Sequence, residues 1–189
     1  MDYKKINRRN FIKQSSLASA SLAFTFSKIS ASTKKVSNLR LGVIGTGLRG
    51  QWMTSLCLLR NDVDIKAICD IDPEMINKTL SIIKKGGGKP PDVYKNGQHD
   101  FLNLVQRDDL DAVYIATPWK WHHPMSVAAM KQGKHVGVEC PAALEIKDLW
   151  DLVNVSEKEE KHCMLMENVC YRRDVMAVLN LSLIHISEP

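Results

Sequence analysis

The chain has 189 residues, which is enough for one domain with a substantial core but too few for two full-sized domains. Hydrophobic residues make up 44% and aromatic residues 6%, as in an ordinary soluble α/β protein. The formal charge is +5, but residues 1–38 hold eight Lys or Arg and one acid, which leaves 18 basic and 20 acidic residues from Leu39 onward. The basic excess therefore belongs to the N-terminal segment, and the remainder has no electrostatic case for binding DNA or RNA.

The cysteines do not suggest a metal centre or a disulfide framework. They are odd in number, form no CxxC motif and have no histidine at a spacing typical of zinc. Most lie in apolar stretches, where a thiol behaves as a small buried hydrophobic group. We therefore predict no metal site. The five are Cys57, Cys69, Cys140, Cys163 and Cys170.

The N-terminal segment resembles an export signal. Residues 7–13 read Asn-Arg-Arg-Asn-Phe-Ile-Lys, which is similar to the twin-arginine signature, and a weakly apolar stretch follows at 17–24. That stretch is too short and too rich in serine to span a bilayer, and such leaders are addresses read by a receptor rather than anchors. We expect residues 1–35 to be a twin-arginine signal peptide that directs the protein to the periplasm through the twin-arginine export machinery, with no membrane anchor. The alternative is a disordered basic tail.

From Leu39 onward, short apolar runs alternate with amphipathic segments, which favours βαβ units on a parallel sheet. The predicted strands are 39–44, 63–69, 112–116, 135–139 and 163–167. The predicted helices are 51–60, 73–85, 99–107, 124–132 and 146–158. We therefore predict an α/β, doubly wound, Rossmann-like domain over residues 36–180. Residues 181–189 start no recognisable element and are interpreted as an atypical tail of the kind that truncation produces.

A glycine-rich loop joins the first predicted strand to the first predicted helix. Residues 45–50 read Gly-Thr-Gly-Leu-Arg-Gly, and Asp70 follows about 20 residues later at the end of the next strand. Gly45 permits a tight turn, Gly47 lets the backbone approach a pyrophosphate, and Gly50 allows close helix–strand packing. The helix start offers N–H groups to phosphates, and Asp70 can accept hydrogen bonds from both adenosine ribose hydroxyls while repelling a 2′-phosphate. The loop therefore predicts NAD binding; the alternative is a glycine turn in an unrelated α/β protein.

Two later segments carry a family resemblance. The strand at 112–116 is followed by Thr-Pro and then by Trp-Lys-Trp-His-His-Pro at 119–124, and residues 128–136 read AAMKQGKHV. With the glycine loop, these segments resemble the Gfo/Idh/MocA family of sugar-acting, NAD(P)-dependent oxidoreductases over residues 39–179. That family has a Rossmann domain followed by an α+β substrate domain. The resemblance therefore implies that the C-terminal domain is missing and that the chain is truncated.

One departure from the family pattern narrows the resemblance. Typical members carry Glu-Lys-Pro with a catalytic lysine, whereas this chain has Glu139-Cys140-Pro141, and a thiol cannot replace an ammonium group. The Trp-His segment, the ECPAAL segment and residues 166–172 resemble one branch, glycoside hydrolase family 109. Its members are NAD-dependent α-N-acetylgalactosaminidases, and they often bear twin-arginine leaders.

The resemblance also implies roles for particular residues. It places Leu48 and Arg49 at the pyrophosphate turn and makes Tyr171 the candidate catalytic base, while the residues that grip the substrate lie beyond the chain's end. The side chains implied to line the cofactor crevice are Trp119, Lys120, Trp121 and His122, and those implied near the nicotinamide are Glu139, Cys140 and Asn168. The alternative role for the two tryptophans and for Tyr171 is packing alone, and the alternative for His122 or His123 is capping of the helix that follows.

The implied reaction is hydrolysis of an amino-sugar glycoside without the usual pair of carboxylates. In it NAD oxidises C3 of the sugar, Tyr171 removes the proton at C2, the group at C1 is eliminated, water adds, and the hydride returns. A phenol of pKa about 10 needs cations such as Arg172 or Arg173 beside it to act as a base. The alternatives are an ordinary NAD-dependent sugar oxidoreductase and a non-catalytic NAD-binding fragment, and a homo-oligomer stays open. We expect these 189 residues alone to bind NAD at best.

Overall fold

The computed structural model describes residues 38–186, so the predicted signal peptide and the end of the predicted tail lie outside the described residues. The strands are β1 Leu39–Ile44, β2 Val63–Cys69, β3 Asp92–Tyr94, β4 Ala112–Ile115, β5 His135–Val138 and β6 Cys163–Leu165. The helices are α1 Leu48–Leu58, α2 Pro73–Lys85, α3 Phe101–Val105, α4 His122–Lys131, α5 Ile146–Glu159 and α6 Arg173–Ile186. Single 3-10 turns lie at Trp119–Trp121 and Val169–Tyr171.

All neighbouring strands pair in parallel, in the order β3-β2-β1-β4-β5-β6. The strands are apolar runs because both faces of the sheet are covered. Val43 packs on one face with the residues of α2, and the next residue, Ile44, packs on the other with those of α3 and α4. Two buried clusters on opposite faces of a parallel sheet define a doubly wound α/β fold, which confirms the predicted fold class.

The structure corrects several predicted boundaries. β3 was not predicted, because three residues with Asp92 at their head form a strand only by pairing with β2. α1 begins at Leu48, inside the glycine loop, rather than at residue 51. Residues 181–186, interpreted from the sequence as part of an atypical tail, are the last residues of α6, which begins at Arg173. No proline or glycine lies between Arg173 and Ile186, so nothing in the sequence stops the helix at Asn180.

The topology gathers five loops at one edge of the sheet. Because the strands are parallel, the residues that follow β1, β2, β4, β5 and β6 all lie at their carboxyl ends. They are Gly45, Asp70, Thr117, Glu139 and Glu167. The strand order reverses between β1 and β4, and ligands of doubly wound sheets bind in the crevice at such a point. No helix among residues 38–186 has the length and apolar character needed to cross a bilayer.

Candidate functional site

The glycine loop has the geometry expected of a phosphate cradle. Gly45 has a φ of +93°, and a Cβ there would lie 2.5 Å from the carbonyl oxygen of Ala116. A Cβ on Gly50 would lie 2.0 Å from the carbonyl oxygen of Gly45. A Cβ on Gly47 would meet no atom within 4 Å. The first and third glycines are therefore required by the fold, whereas Gly47 keeps open the space that an approaching phosphate needs.

The start of α1 faces this open space without a competing anion. Its N-cap is Gly47, no side chain among the described residues caps it, and its first turn contains no acid. The first-turn N–H groups and the positive end of the helix are thus left for a ligand. A cavity of about 460 Å³ lies against them. The cavity is lined by the glycine loop and by Asp70, Asp72, Met75, Thr117, Pro118 and Trp121, among others.

Asp70 is held rigidly at the end of β2. Its Oδ2 accepts hydrogen bonds from the backbone N–H of Thr46 at 2.5 Å and from the Thr46 hydroxyl at 2.9 Å. Its Oδ1 accepts from the backbone N–H of Asp72 at 3.0 Å. A carboxylate has about four acceptor positions, so about one stays open while these three bonds persist. Two ribose hydroxyls, as expected from the sequence, therefore require one of the Thr46 bonds to be shared.

The Arg49 side chain extends from the start of α1 to the loops that follow β5 and β6. Its Nε donates to Glu139 Oε1 at 2.8 Å, its Nη2 to Asn168 Oδ1 at 3.4 Å, and its guanidinium lies 4.4 Å from the ring centre of Trp52. The buried Tyr114 hydroxyl donates to the same Glu139 oxygen at 2.6 Å. Burial and this hydrogen bond raise the pKa of Tyr114, so its phenol is a neutral donor. The bond to Glu139 likewise raises the pKa of Arg49.

Cys140 and Glu167 form a second contact beside this network. The Cys140 Sγ lies 3.3 Å from Glu167 Oε2, and the backbone N–H of Val169 donates to Glu167 Oε1 at 2.8 Å. Desolvation and Glu167 raise the pKa of the Cys140 thiol. The Val169 N–H and the thiol lower the pKa of Glu167. At neutral pH the thiol is therefore protonated and the carboxylate is ionised.

Of the side chains at residues 119–121, which the sequence predicted to line the crevice, only one does so. Trp121 lines the cavity and makes edge contacts with His99 and Phe101, at centroid distances of 5.5 and 6.0 Å. Trp119 is 61% exposed, and Lys120 is exposed as well. Neither of these two side chains lines the cavity.

The prediction that the His122 side chain lines the crevice is wrong. The ring is 1% exposed, with Nδ1 2.7 Å from the Pro141 carbonyl oxygen and Nε2 2.7 Å from the Thr117 carbonyl oxygen. The ring lies inside the core between the loops after β4 and β5, and its two nitrogens face one backbone carbonyl group of each loop. His123 instead contacts Asp151 of α5 at 2.8 Å, away from the crevice.

Tyr171 lies in the 3-10 turn that follows Asn168, and it is 67% exposed. Its backbone N–H donates to the Asn168 carbonyl at 3.3 Å. Arg172, one of the two cations expected beside it, is engaged by Asp174 at 2.7 Å. The structure thus places Tyr171 on the loop of Glu167 and Asn168 without giving its hydroxyl a partner among the described residues.

Three residues of this site were not predicted from the sequence: Thr46, Tyr114 and Glu167. Thr46 occupies a variable position of the glycine motif, and Tyr114 occupies a strand position that reads as core. Glu167 precedes Asn168 but belongs to no recognised motif. None of the three has a local signal, because each gains its role from a partner distant in the chain.

A second cavity, of about 420 Å³, lies near the amino ends of β2 and β3, at the opposite edge of the sheet. Both arginines that line it are neutralised, Arg60 by Asp62 and Arg107 by both Asp92 and Asp109. Within residues 38–186 there is also no group of three side chains suited to holding a metal ion. The chemistry therefore concentrates at the glycine-loop edge.

Comparison with known proteins agrees with this assignment. A sequence model described as "Oxidoreductase family, NAD-binding Rossmann fold" (GFO_IDH_MocA) matches residues 39–167. Two relatives are each named "Glycosyl hydrolase family 109 protein". The one from Saccharopolyspora erythraea is 45% identical over 143 residues, covering 76% of this chain and 31% of its own length. The one from Parabacteroides distasonis is 49% identical over 149 residues, covering 78% and 32%.

Solved structures share the fold. Scyllo-inositol dehydrogenase from Lactobacillus casei, with bound NAD(H) and scyllo-inositol, matches with a TM-score of 0.66 at 21% identity, over 77% of this chain and 41% of that one. An NAD-binding protein from Listeria innocua matches with a TM-score of 0.61 at 25% identity, over 73% and 38%. The chain spans about a third of the length of these curated relatives. It belongs to the Gfo/Idh/MocA oxidoreductase family and carries that family's NAD-binding Rossmann domain.

Proposed function

We propose that this domain is the cofactor-binding part of an NAD-dependent glycosidase that resembles the α-N-acetylgalactosaminidases and acts on amino-sugar glycosides. The observation that carries the proposal is Cys140, a neutral thiol at the carboxyl end of β5, where lysine-assisted dehydrogenation requires an ammonium group. The names of the relatives support the same activity. Because the chain spans about a third of their length, the proposal concerns a longer protein in which a substrate domain follows.

Different residues bind the two halves of the cofactor. Gly47 and the N–H groups of Leu48 and Arg49 hold the pyrophosphate, and Asp70 holds the adenosine ribose. When bound, NAD supplies an acceptor for the hydride at C3 of the sugar and returns it at the end of the cycle. On the nicotinamide side Arg49 holds Glu139 and Asn168 in place, and Cys140 lies beside them in contact with Glu167.

Tyr171 is proposed as the base that removes the proton at C2 of the sugar, since a ketone at C3 makes that proton acidic. Its exposed ring, on the loop that carries Asn168, is free to meet a substrate presented by a following domain. Loss of the group at C1 and addition of water then complete a hydrolysis with no net oxidation.

Export in the folded state is proposed together with this activity. Free NAD is scarce outside the cytoplasm, so a periplasmic enzyme has to load its cofactor before crossing the membrane, which the twin-arginine route permits. Substituting both Arg8 and Arg9 by lysine is expected to leave the protein in the cytoplasmic fraction. Periplasmic recovery of that variant would contradict the proposal.

The second candidate is an NAD-dependent sugar oxidoreductase, which the description of the family favours. The decisive assay incubates the longer protein with p-nitrophenyl α-N-acetylgalactosaminide without added NAD. The proposal predicts release of p-nitrophenol with no lasting rise in absorbance at 340 nm. Steady accumulation of NADH with free sugar, and no p-nitrophenol, would support the oxidoreductase instead.

A further inference from the structure

The half of the crevice beyond the switch point carries charge of both signs. Glu139 follows β5 and Glu167 lies in the loop after β6, while Arg49 of α1 contacts Glu139. In a doubly wound sheet a dinucleotide crosses the switch point, which lies here between β1 and β4. With the adenosine ribose at Asp70 beside β2, the nicotinamide lies on the side of β5 and β6.

The two carboxylates differ in their partners. Glu139 is neutralised by Arg49, with Nε 2.8 Å from Oε1, and it is largely buried. Glu167 accepts hydrogen bonds from two neutral donors, the Cys140 thiol and the Val169 N–H. Arg49 lowers the pKa of Glu167 from a distance, but its guanidinium is paired with Glu139, and no cation of the described part of the chain forms an ion pair with Glu167. The group of Arg49, Glu139 and Glu167 therefore has a net charge of −1.

A net negative charge distinguishes the two oxidation states of the cofactor. The nicotinamide ring of NAD⁺ is positively charged, whereas that of NADH is neutral. An unneutralised carboxylate beside the ring, partly screened by solvent, favours the oxidised form by about tenfold in affinity. A phosphate or ribose contact contributes equally to both forms and does not create such a preference.

We propose that Glu167 determines the specificity of this crevice for the oxidised cofactor, by placing an unneutralised carboxylate beside the nicotinamide. Cys140 belongs to the same device, because its neutral thiol leaves that charge uncompensated. The preference itself requires only that the nicotinamide lies over β5 and β6. Its use, keeping a resident cofactor oxidised between turnovers, rests on the proposed function.

The test measures dissociation constants of NAD⁺ and NADH for the 189-residue chain by calorimetric titration at neutral pH, and compares their ratio among variants. Wild type is expected to bind NAD⁺ more tightly, and Glu167→Gln to reduce the ratio of the NADH to the NAD⁺ constant by about tenfold. Glu157→Gln is the matched control, because it removes an exposed carboxylate from the last turn of α5, at the opposite edge of the sheet. It should leave the ratio unchanged.

Cys140 gives a second, independent variant. Cys140→Lys places a cation beside Glu167 and is expected to lower the ratio at least as far as Glu167→Gln, whereas the neutral Cys140→Ser keeps it. A variant that only disturbs the fold weakens the binding of NAD⁺ and of NADH equally, so the ratio of their dissociation constants does not change. If Glu167→Gln does not fold, the lysine and serine variants decide.

A ratio that stays within twofold of wild type in every folded charge variant would overturn the inference, while leaving the cofactor site and the proposed function standing. Wild-type chain that binds neither cofactor would overturn the inference together with the proposed placement of NAD. Failure of the glycosidase assay, with the ratio behaving as expected, would remove only the proposed use of the preference.

Discussion

At the scale of single residues, the three loop glycines have separable duties, which gives a matched pair of variants. Gly47→Ala is expected to leave the thermal unfolding midpoint unchanged, because a Cβ there meets no protein atom, and to weaken NAD binding by filling the phosphate cradle. Gly50→Ala drives a Cβ into the Gly45 carbonyl. It should lower the free energy of unfolding by at least about 2 kcal/mol, as overpacking does.

Two measurements distinguish these roles: thermal unfolding, monitored by circular dichroism, and titration with NAD. Equal losses of stability in both variants would contradict the geometry of the loop. Unchanged NAD affinity in Gly47→Ala would contradict its role in the cradle.

Residue roles were predictable from the sequence where they depend on the neighbouring backbone. Gly45, Gly50 and Asp70 have fixed places in a strand–turn–helix motif, so their spacing indicated their positions. The burial of His122 was not predictable, because it depends on carbonyl groups of Thr117 and Pro141 that only the folded chain brings together. The same holds for Glu167, whose charge matters because its partners are neutral.

At the scale of elements, Arg40 of β1 clamps the chain just before β4. Its Nη2 lies 2.6 Å from Asp111 Oδ1, and both its Nε and its backbone N–H donate to Asp111 Oδ2. These strands flank the switch point, and the clamp holds their amino ends together, at the edge of the sheet opposite the crevice. The Arg40 guanidinium holds the pKa of Asp111 below its ordinary value.

We therefore expect Asp111→Asn to lower the thermal midpoint at neutral pH by about 2–4 °C, because the charge-assisted bonds are weakened. Since the folded-state pKa of Asp111 is depressed, its contribution is present above about pH 4 and is lost as the pH falls through the folded value. The difference between variant and wild type should then shrink in acid. Asp108→Asn, at an exposed position, is the control. A constant difference from pH 7 to pH 2 would contradict this account.

Strands and helices were predicted correctly where a long apolar or amphipathic segment has clear limits in the sequence. β1, β2 and α2 have the predicted bounds. β3 was not predicted because its three residues, two of them exposed, show no hydrophobic periodicity and depend on β2 for their hydrogen bonds. α6 escaped because its sequence shows neither a start signal nor a stop signal that could be separated from a tail.

At the scale of the whole molecule, the central claim is that the crevice is built for NAD. A ligand that binds only the folded chain stabilises it by about 2.7 kcal/mol at a hundredfold excess over its dissociation constant, so cofactor binding is measurable both as heat and as a thermal shift. Asp70 and Asp72 both line the cavity. Two carboxylates at the adenosine end repel a 2′-phosphate, which NADP carries and NAD lacks.

The most direct test is titration of the 189-residue chain with NAD⁺ and with NADP⁺ under identical conditions. We expect saturable binding of NAD⁺, with NADP⁺ binding weaker by at least about tenfold. Asp70→Asn should weaken NAD⁺ and narrow that difference. Equal affinity for the two cofactors, or no saturable binding of NAD⁺, would contradict the account.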